Sequence, residues 1–312
     1  MRSWMRIGVV LSLALLAAGC FETKQVITLN PDGSGKVEID ALLAVSPMMA
    51  AAGGGKAPDA NLIAQQSVRQ MVTDSQGIDA WSGVSADVTK EGKVHIAGTA
   101  YFSDLAKVKV EGVPGMQAKW TKDGKDMVLE AVMESPEEGE KPEPAKANLS
   151  DEEVAKALKA KREEWAMQKM MAAQILGSLR MEVTFVLPGK AGEVNILEKT
   201  DKGHLRLVME GKKMLEAMDK IMADDKIMKE SIKAGKDPMK DGGSDAMMEA
   251  MYGKKGPIRA KTTGDLKPVF DYKAEMEKAK AAQPAMMKAL GLDAPPVSKP
   301  DRTGTLPPQP AE

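Results

Sequence analysis

Four times along the chain, apolar residues at alternate positions run into a short glycine-containing turn and out again on the far side. Alternation at period two across such a turn is the pattern of a β-hairpin, because successive side chains of a strand point to opposite faces and glycine accepts the positive φ of a tight reversal. The first hairpin reads Val26-Ile27-Thr28-Leu29, the turn Asn30-Pro31-Asp32-Gly33-Ser34-Gly35, then Val37 to Leu43. The second runs in through Val84, Ala86 and Val88, turns at 89–93, and leaves through Val94 and Ile96 towards Phe102. A third turns at 121–125 beside Trp120 and returns through Met127 and Leu129. The fourth runs in through Val194 and Ile196, turns at 200–203, and returns through Leu205, Leu207 and Met209. With one further apolar run at 181–187, these segments predict a largely antiparallel sheet with one wet face.

Helical spacing appears between the hairpins, so the expected fold class is α+β: a largely antiparallel sheet built from β-hairpins, with several amphipathic helices. Leu62, Ile63, Val68, Met71 and Val72 share a broad face over about 59–73. Ser150-Asp151-Glu152-Glu153 is a capping-box pattern, and it opens a helix carrying Val154, Leu158, Trp165, Ile175 and Leu176. Met214, Met218, Ile221, Met222, Met228 and Ile232 predict one helix over about 212–233. Residues 272–283 predict another, with Pro284 starting a new short helix that ends at Gly291. The acidic, proline-containing segment 135–148 either links an α+β region at 20–134 to one at 149–292 or is a loop within a single domain. The proline-rich tail at 293–312 reads as disordered.

The N-terminus is an address. Arg2 and Arg6 precede an uncharged, mostly apolar run from Ile7 to Ala18, which is short for a bilayer span, and then Gly19-Cys20. Leu16-Ala17-Ala18-Gly19-Cys20 resembles the lipobox of the bacterial lipoprotein signal family. That resemblance implies that residues 1–19 are a signal peptide, and that Cys20 receives a diacylglycerol through sulfur and becomes the first mature residue. With Phe21 after the cysteine, the sequence resembles lipoproteins sent on to the outer membrane, facing the periplasm. Cys20 is the only cysteine, so the mature chain has no disulfide and no thiolate metal site. The segment from Cys20 to Leu43 with its Asn30-to-Gly35 turn, together with Val183-Thr184-Phe185-Val186-Leu187-Pro188-Gly189, resembles the LppM-like envelope lipoprotein domain. That family implies a lipid-anchored α+β domain on the envelope, without catalytic machinery.

Composition narrows the partners. The chain carries 44 basic and 45 acidic residues, which favours neither nucleic acid nor an anionic surface. Aromatic residues are only 4%, and 24 methionines supply much of the missing apolar volume.

Each candidate site has a structural competitor. Asn30, Asp32, Ser34 and Gly35 fit the first half of a calcium loop, but Ala41 stands where a bidentate glutamate belongs and strands flank the turn, so a structural turn is favoured. Met214, Met218 and Met222 on one helical face, or Met247, Met248 and Met251, offer thioethers to Cu(I), and the same spacing serves a core. The stretch 235–257, which carries Met247, Met248, Met251 and Tyr252, is expected to pack on the protein's own core. His95 and His204 alternate with apolar neighbours and belong on wet strand faces. Glu163-Glu164 and Asp224-Asp225 read as solvated helix surface, and no hydrolase, phosphate-loop or zinc-protease motif is present. No catalytic residue, cofactor or metal ligand is therefore assigned. The expectation is a non-enzymatic envelope lipoprotein held to the membrane through the lipid on Cys20, with an envelope protein or lipid as partner and no nucleic acid. The alternative is a metal or small-ligand carrier using the methionine clusters or the Asn30-to-Ala41 segment.

Overall fold

The computed structural model describes residues 21–44, 59–110, 116–133, 149–235 and 245–292. Residues 1–20, which hold the expected signal peptide and Cys20, the segment 135–148 and the tail from 293 lie outside the described residues, as does 236–244. The described chain is α+β. Its strands are β1 (Phe21–Leu29), β2 (Gly35–Ala44), β3 (Ala80–Val88), β4 (Lys93–Phe102), β5 (Met116–Asp123), β6 (Asp126–Met133), β7 (Arg180–Val186), β8 (Lys190–Asn195), β9 (Glu198–Lys199), β10 (Leu205–Glu210) and β11 (Ile258–Thr263). Its helices are α1 (Ala60–Asp74), α2 (Asp151–Leu176), α3 (Gly211–Ala223), α4 (Asp225–Lys233), α5 (Asp245–Tyr252) and α6 (Tyr272–Ala289).

Two sheets result, ordered β3-β4-β2-β1-β7-β10-β9 and β5-β6-β11-β8. All pairings are antiparallel except β1 with β7, which run parallel from Glu22 opposite Arg180 to Thr28 opposite Val186. Each sheet draws strands from both sides of 135–148. The inner faces meet in one core: Ile27, Leu29, Val37, Ile39, Val183, Phe185 and Leu205 from the large sheet join Leu129, Ala131, Ile258 and Ala260 from the small one. Ala64, Val68 and Met71 of α1 belong to the same core, whereas Ala279 of α6 packs with Ala80 and Tyr101 in a smaller cluster. A further cluster of Leu158, Ala217, Ile221, Met222, Met228 and Met247 holds α2, α3, α4 and α5 together.

Three of the predicted hairpins form as read, with the third turning more tightly than expected because β5 runs on to Asp123 and pairs it with Asp126. The fourth forms only in part. β9 and β10 pair, but Val194 lies on β8, which pairs with β11 in the other sheet. Ile196 sits at the corner where the chain changes sheets, at a φ of 71°, a value that a β-branched residue rarely adopts. Burial of Ile196 and Leu197 in the main core offsets that strain.

The predicted helix over 212–233 is two helices. Asp224 leaves the helical region at φ −82°, ψ 104°, and its carboxylate accepts from the amides of Lys226 and Ile227 at 2.8 and 3.0 Å, capping α4. A methionine periodicity that continues across the break conceals it. Conversely, Pro284 does not divide α6. It lacks an amide to donate, but neighbouring side chains tie the helix to β3, with the Trp81 amide donating to Gln283 Oε1 at 2.9 Å and the Val84 amide to Met286 Sδ at 3.4 Å. The α2 N-terminus is a reciprocal capping box between Ser150 and Glu153, as the sequence predicts.

Because Asp224 both ends α3 and caps α4, Asp224→Ala is expected to lower stability by about 1 kcal/mol, read as a drop in thermal midpoint by circular dichroism. An unchanged midpoint would mean that the cap contributes nothing.

Candidate functional site

The turn proposed as a calcium loop is a structural lock. Asn30 is 3% exposed, and each end of its carboxamide is used inside the protein. Its Nδ2 donates to Ser34 Oγ and to the Phe270 carbonyl, both at 3.2 Å, while its Oδ1 accepts from the amides of Val269 and Phe270 at 2.8 and 3.4 Å. The indole of Trp120 donates to the Asn30 carbonyl at 3.0 Å. Asp32 Oδ1 accepts from the amide and hydroxyl of Ser34 at 3.0 and 2.7 Å. Gly33 holds a φ of 91°, and a Cβ on Gly35 would stand 2.5 Å from the Phe102 ring. Asn30 Oδ1, Asp32 Oδ1 and Ser34 Oγ are thus each already bonded within the protein. Nearby, Lys36 pairs with Glu275 at 3.0 Å and lies 4.9 Å over the Phe270 ring, and the Tyr272 hydroxyl donates to Asp79 at 2.6 Å.

The methionine clusters are largely packing. Met222, Met228, Met247 and Met248 are buried, and Met218 and Met251 pack against them. Tyr252 anchors α5 by donating to the Val208 carbonyl at 3.2 Å, and burial, with Glu198 and Glu210 nearby, raises its phenol above the ordinary range. The stretch 245–257 therefore lies on the protein's own core, as expected. His95 meets Asp40 at 3.2 Å on a half-exposed strand face. His204 precedes β10, four places from β4 in the sheet, which puts the two histidines on the order of 19 Å or more apart.

Glu163 and Glu164 lie on exposed helix surface, as expected, whereas Asp224 and Asp225 do more than face water. Asp224 is a cap, and Asp225 accepts from Arg162 at 2.7 Å and pairs with Lys229 at 3.3 Å, contacts that hold its carboxyl below the usual range. These residues border an open groove of about 440 Å³ between α2 and α4, lined by Leu158, Lys159, Arg162, Glu163, Asp225 and Lys229. Arg162 also donates to the carbonyls of Met222 and Ala223, so its guanidinium is a strut between helices. Between α2 and α3, hydrogen bonds from Lys169 and Trp165 hold Asp219 below the usual carboxylate range.

One feature escaped the sequence reading. On the second half of α2, Met167 and Met170 are each 75% exposed and Met171 is 51% exposed. Their i, i+3, i+4 spacing was legible, but the apolar face followed through Val154, Leu158 and Trp165 is the opposite, packed one. No helix among the described residues is long and apolar enough to cross a membrane. Cys20 lies outside the described residues, one position before β1.

No known family and no curated protein matches the chain. Among solved structures, the folded domain of the Mycobacterium tuberculosis LppM protein, determined by NMR, aligns over 62% of this chain and 84% of that one, at 12% identity and a TM-score of 0.29. That is the domain type named by the sequence resemblance, but a superposition so loose carries no inference for this chain.

Asn30→Asp separates the lock from a cation site. It replaces the donor to Phe270 with a carboxylate oxygen, so stability is expected to fall by roughly 2 kcal/mol, with no recovery of the thermal midpoint in millimolar calcium. Recovery in calcium would identify a cation site. Replacing Met214, Met218 and Met222 by leucine is expected to cost less than about 1.5 kcal/mol each and to leave Cu(I) uptake in a competition assay unchanged.

Proposed function

We propose that this chain is a lipid-anchored envelope protein, held at the periplasmic face of the outer membrane by acylated Cys20, whose folded body serves as a binding or scaffolding surface and not as an enzyme. The observation that supports the reading most is where β1 begins. Phe21 is 6% exposed and pairs with Leu43, and Glu22 pairs with both Leu42 and Arg180. The residue next to the lipid acceptor is therefore already inside the large sheet, and cleavage before Cys20 would remove nothing from β1. Acylation there would hold the body against the bilayer without a spacer. Polar side chains of the kinds that serve catalysis have structural employment here: Asn30 in the turn, Asp224 at a cap, and Arg162 and Asp219 between helices.

The deciding experiment is the intact mass of full-length protein extracted from bacterial membranes. The expected species starts at Cys20 and carries a diacylglycerol, with or without a further acyl chain, and Cys20→Ser abolishes both the mass increment and membrane retention. An unacylated Cys20 overturns the anchor. A turnover by the pure protein that disappears with a single side-chain substitution overturns the non-enzymatic reading.

A further inference from the structure

We infer that the exposed methionine stripe of α2, formed by Met167, Met170 and Met171, rests on the lipid bilayer and is a second membrane contact beside the anchor. The inference rests on the anchored reading of Cys20, and the topology supplies the rest. Glu22 lies beside Arg180, and Arg180 pairs in turn with Glu210. Gly211 follows, and its amide donates to the Leu179 carbonyl at 2.8 Å, while a Cβ on Gly211 would collide with the Leu176 carbonyl. The C-terminal end of α2 is thus held at the end of the sheet where the chain emerges from Cys20. From Leu176, Met171 is five residues back and Met167 nine, or about 8 and 14 Å along the helix axis.

The helix is sided in the way such a contact requires. Trp165 and Lys169 turn towards Asp219 of α3, at 3.0 and 2.8 Å, and fix the packed face. Met167, Met170 and Met171 project from the other side at helical spacing, with Glu163 and Glu164 restricted to the preceding turn. An amphipathic helix lying in the interface buries such a stripe at the boundary between headgroups and acyl chains, and flexible thioethers fit an irregular surface. Lys93, opposite Ala44, and Lys212 in the first turn of α3 lie at the same end of the sheet, where anionic headgroups would meet them, while Lys213 beside them is paired with Glu210 at 3.2 Å. The lipid alone would leave the body free to swivel. Contact through the stripe fixes which face looks into the periplasm.

The test is methionine oxidation by dilute peroxide, read by peptide mass spectrometry. Acylated full-length protein in vesicles of phosphatidylethanolamine and phosphatidylglycerol is compared with Cys20→Ser protein in buffer. Met167, Met170 and Met171 are expected to oxidise at least about fivefold more slowly on vesicles, because susceptibility follows exposure. Met276 of α6, at the opposite end of the sheet, should keep one rate in both samples, and buried Met228 should be slow in both. In a second variant, Met170→Glu with Met171→Glu, both changes fall on exposed positions, and Met167 on vesicles should return to its rate in buffer. Equal rates in a sample whose mass confirms acylation overturn the contact and leave the anchor standing. Protection in buffer that grows with protein concentration assigns the stripe to a second copy of the chain and also overturns it. An unacylated Cys20, reported by the mass before any footprint is taken, removes the anchor and this contact together.

Discussion

A single side chain ties the fold together. Asn30 closes the turn between β1 and β2, yet its carboxamide bonds the backbone at Val269 and Phe270, some 240 residues away, and its carbonyl receives Trp120 from the small sheet. Three distant parts of the chain converge on one buried residue. A buried group of that kind stabilises only when every partner is in place, because any one left unpaired carries its full desolvation cost. The arrangement is therefore cooperative, and it holds the backbone at Val269 and Phe270 just before Asp271, which caps α6.

With that corner fixed, two sheets and α1 can close on one core that contains few aromatic rings. Phe102 and Phe185 are wholly buried, but most of the apolar volume is aliphatic or methionine. Methionine reaches where a sheet and a helix meet at irregular distance: Met71 approaches Gly98 across the α1 contact, and Met248 of α5 joins the main core while Met247 joins the helical cluster. The eight-residue α5 thereby links the two clusters.

The sheet was legible because its signal is local. Alternation around turns such as 30–35 and 89–93 is a property of about ten neighbouring residues, and so is the Ser150–Glu153 capping box. What failed depended on the rest of the molecule. Nothing near Val194 says that β8 pairs with β11 while β9 turns to β10, because that choice depends on the other sheet. Pro284 is a local stop signal overridden by contacts with β3, and Asp224 is a local cap hidden by a methionine period that runs past it. At the candidate site, Asp32 bonds its near neighbour Ser34, but the amides that donate to the Asn30 carboxamide oxygen lie far along the sequence. The exposed side of α2 was readable in spacing and not in orientation, since contacts with distant residues such as Asp219, Met222 and Asp225 fix which face turns inward.

The position of β1 also has a mechanical meaning. It lies between β2 and β7, with its first residue one peptide bond from Cys20, the proposed lipid acceptor. A load between the membrane and anything grasping the body would draw β1 along its own axis, against two hydrogen-bond ladders strained together in shear. A strand at the edge, pulled sideways, would yield one bond at a time. A lipid on Cys20 would thus join the body where tension is shared over the whole length of a strand, and a protein anchored in this way would resist being stripped from its lipid end.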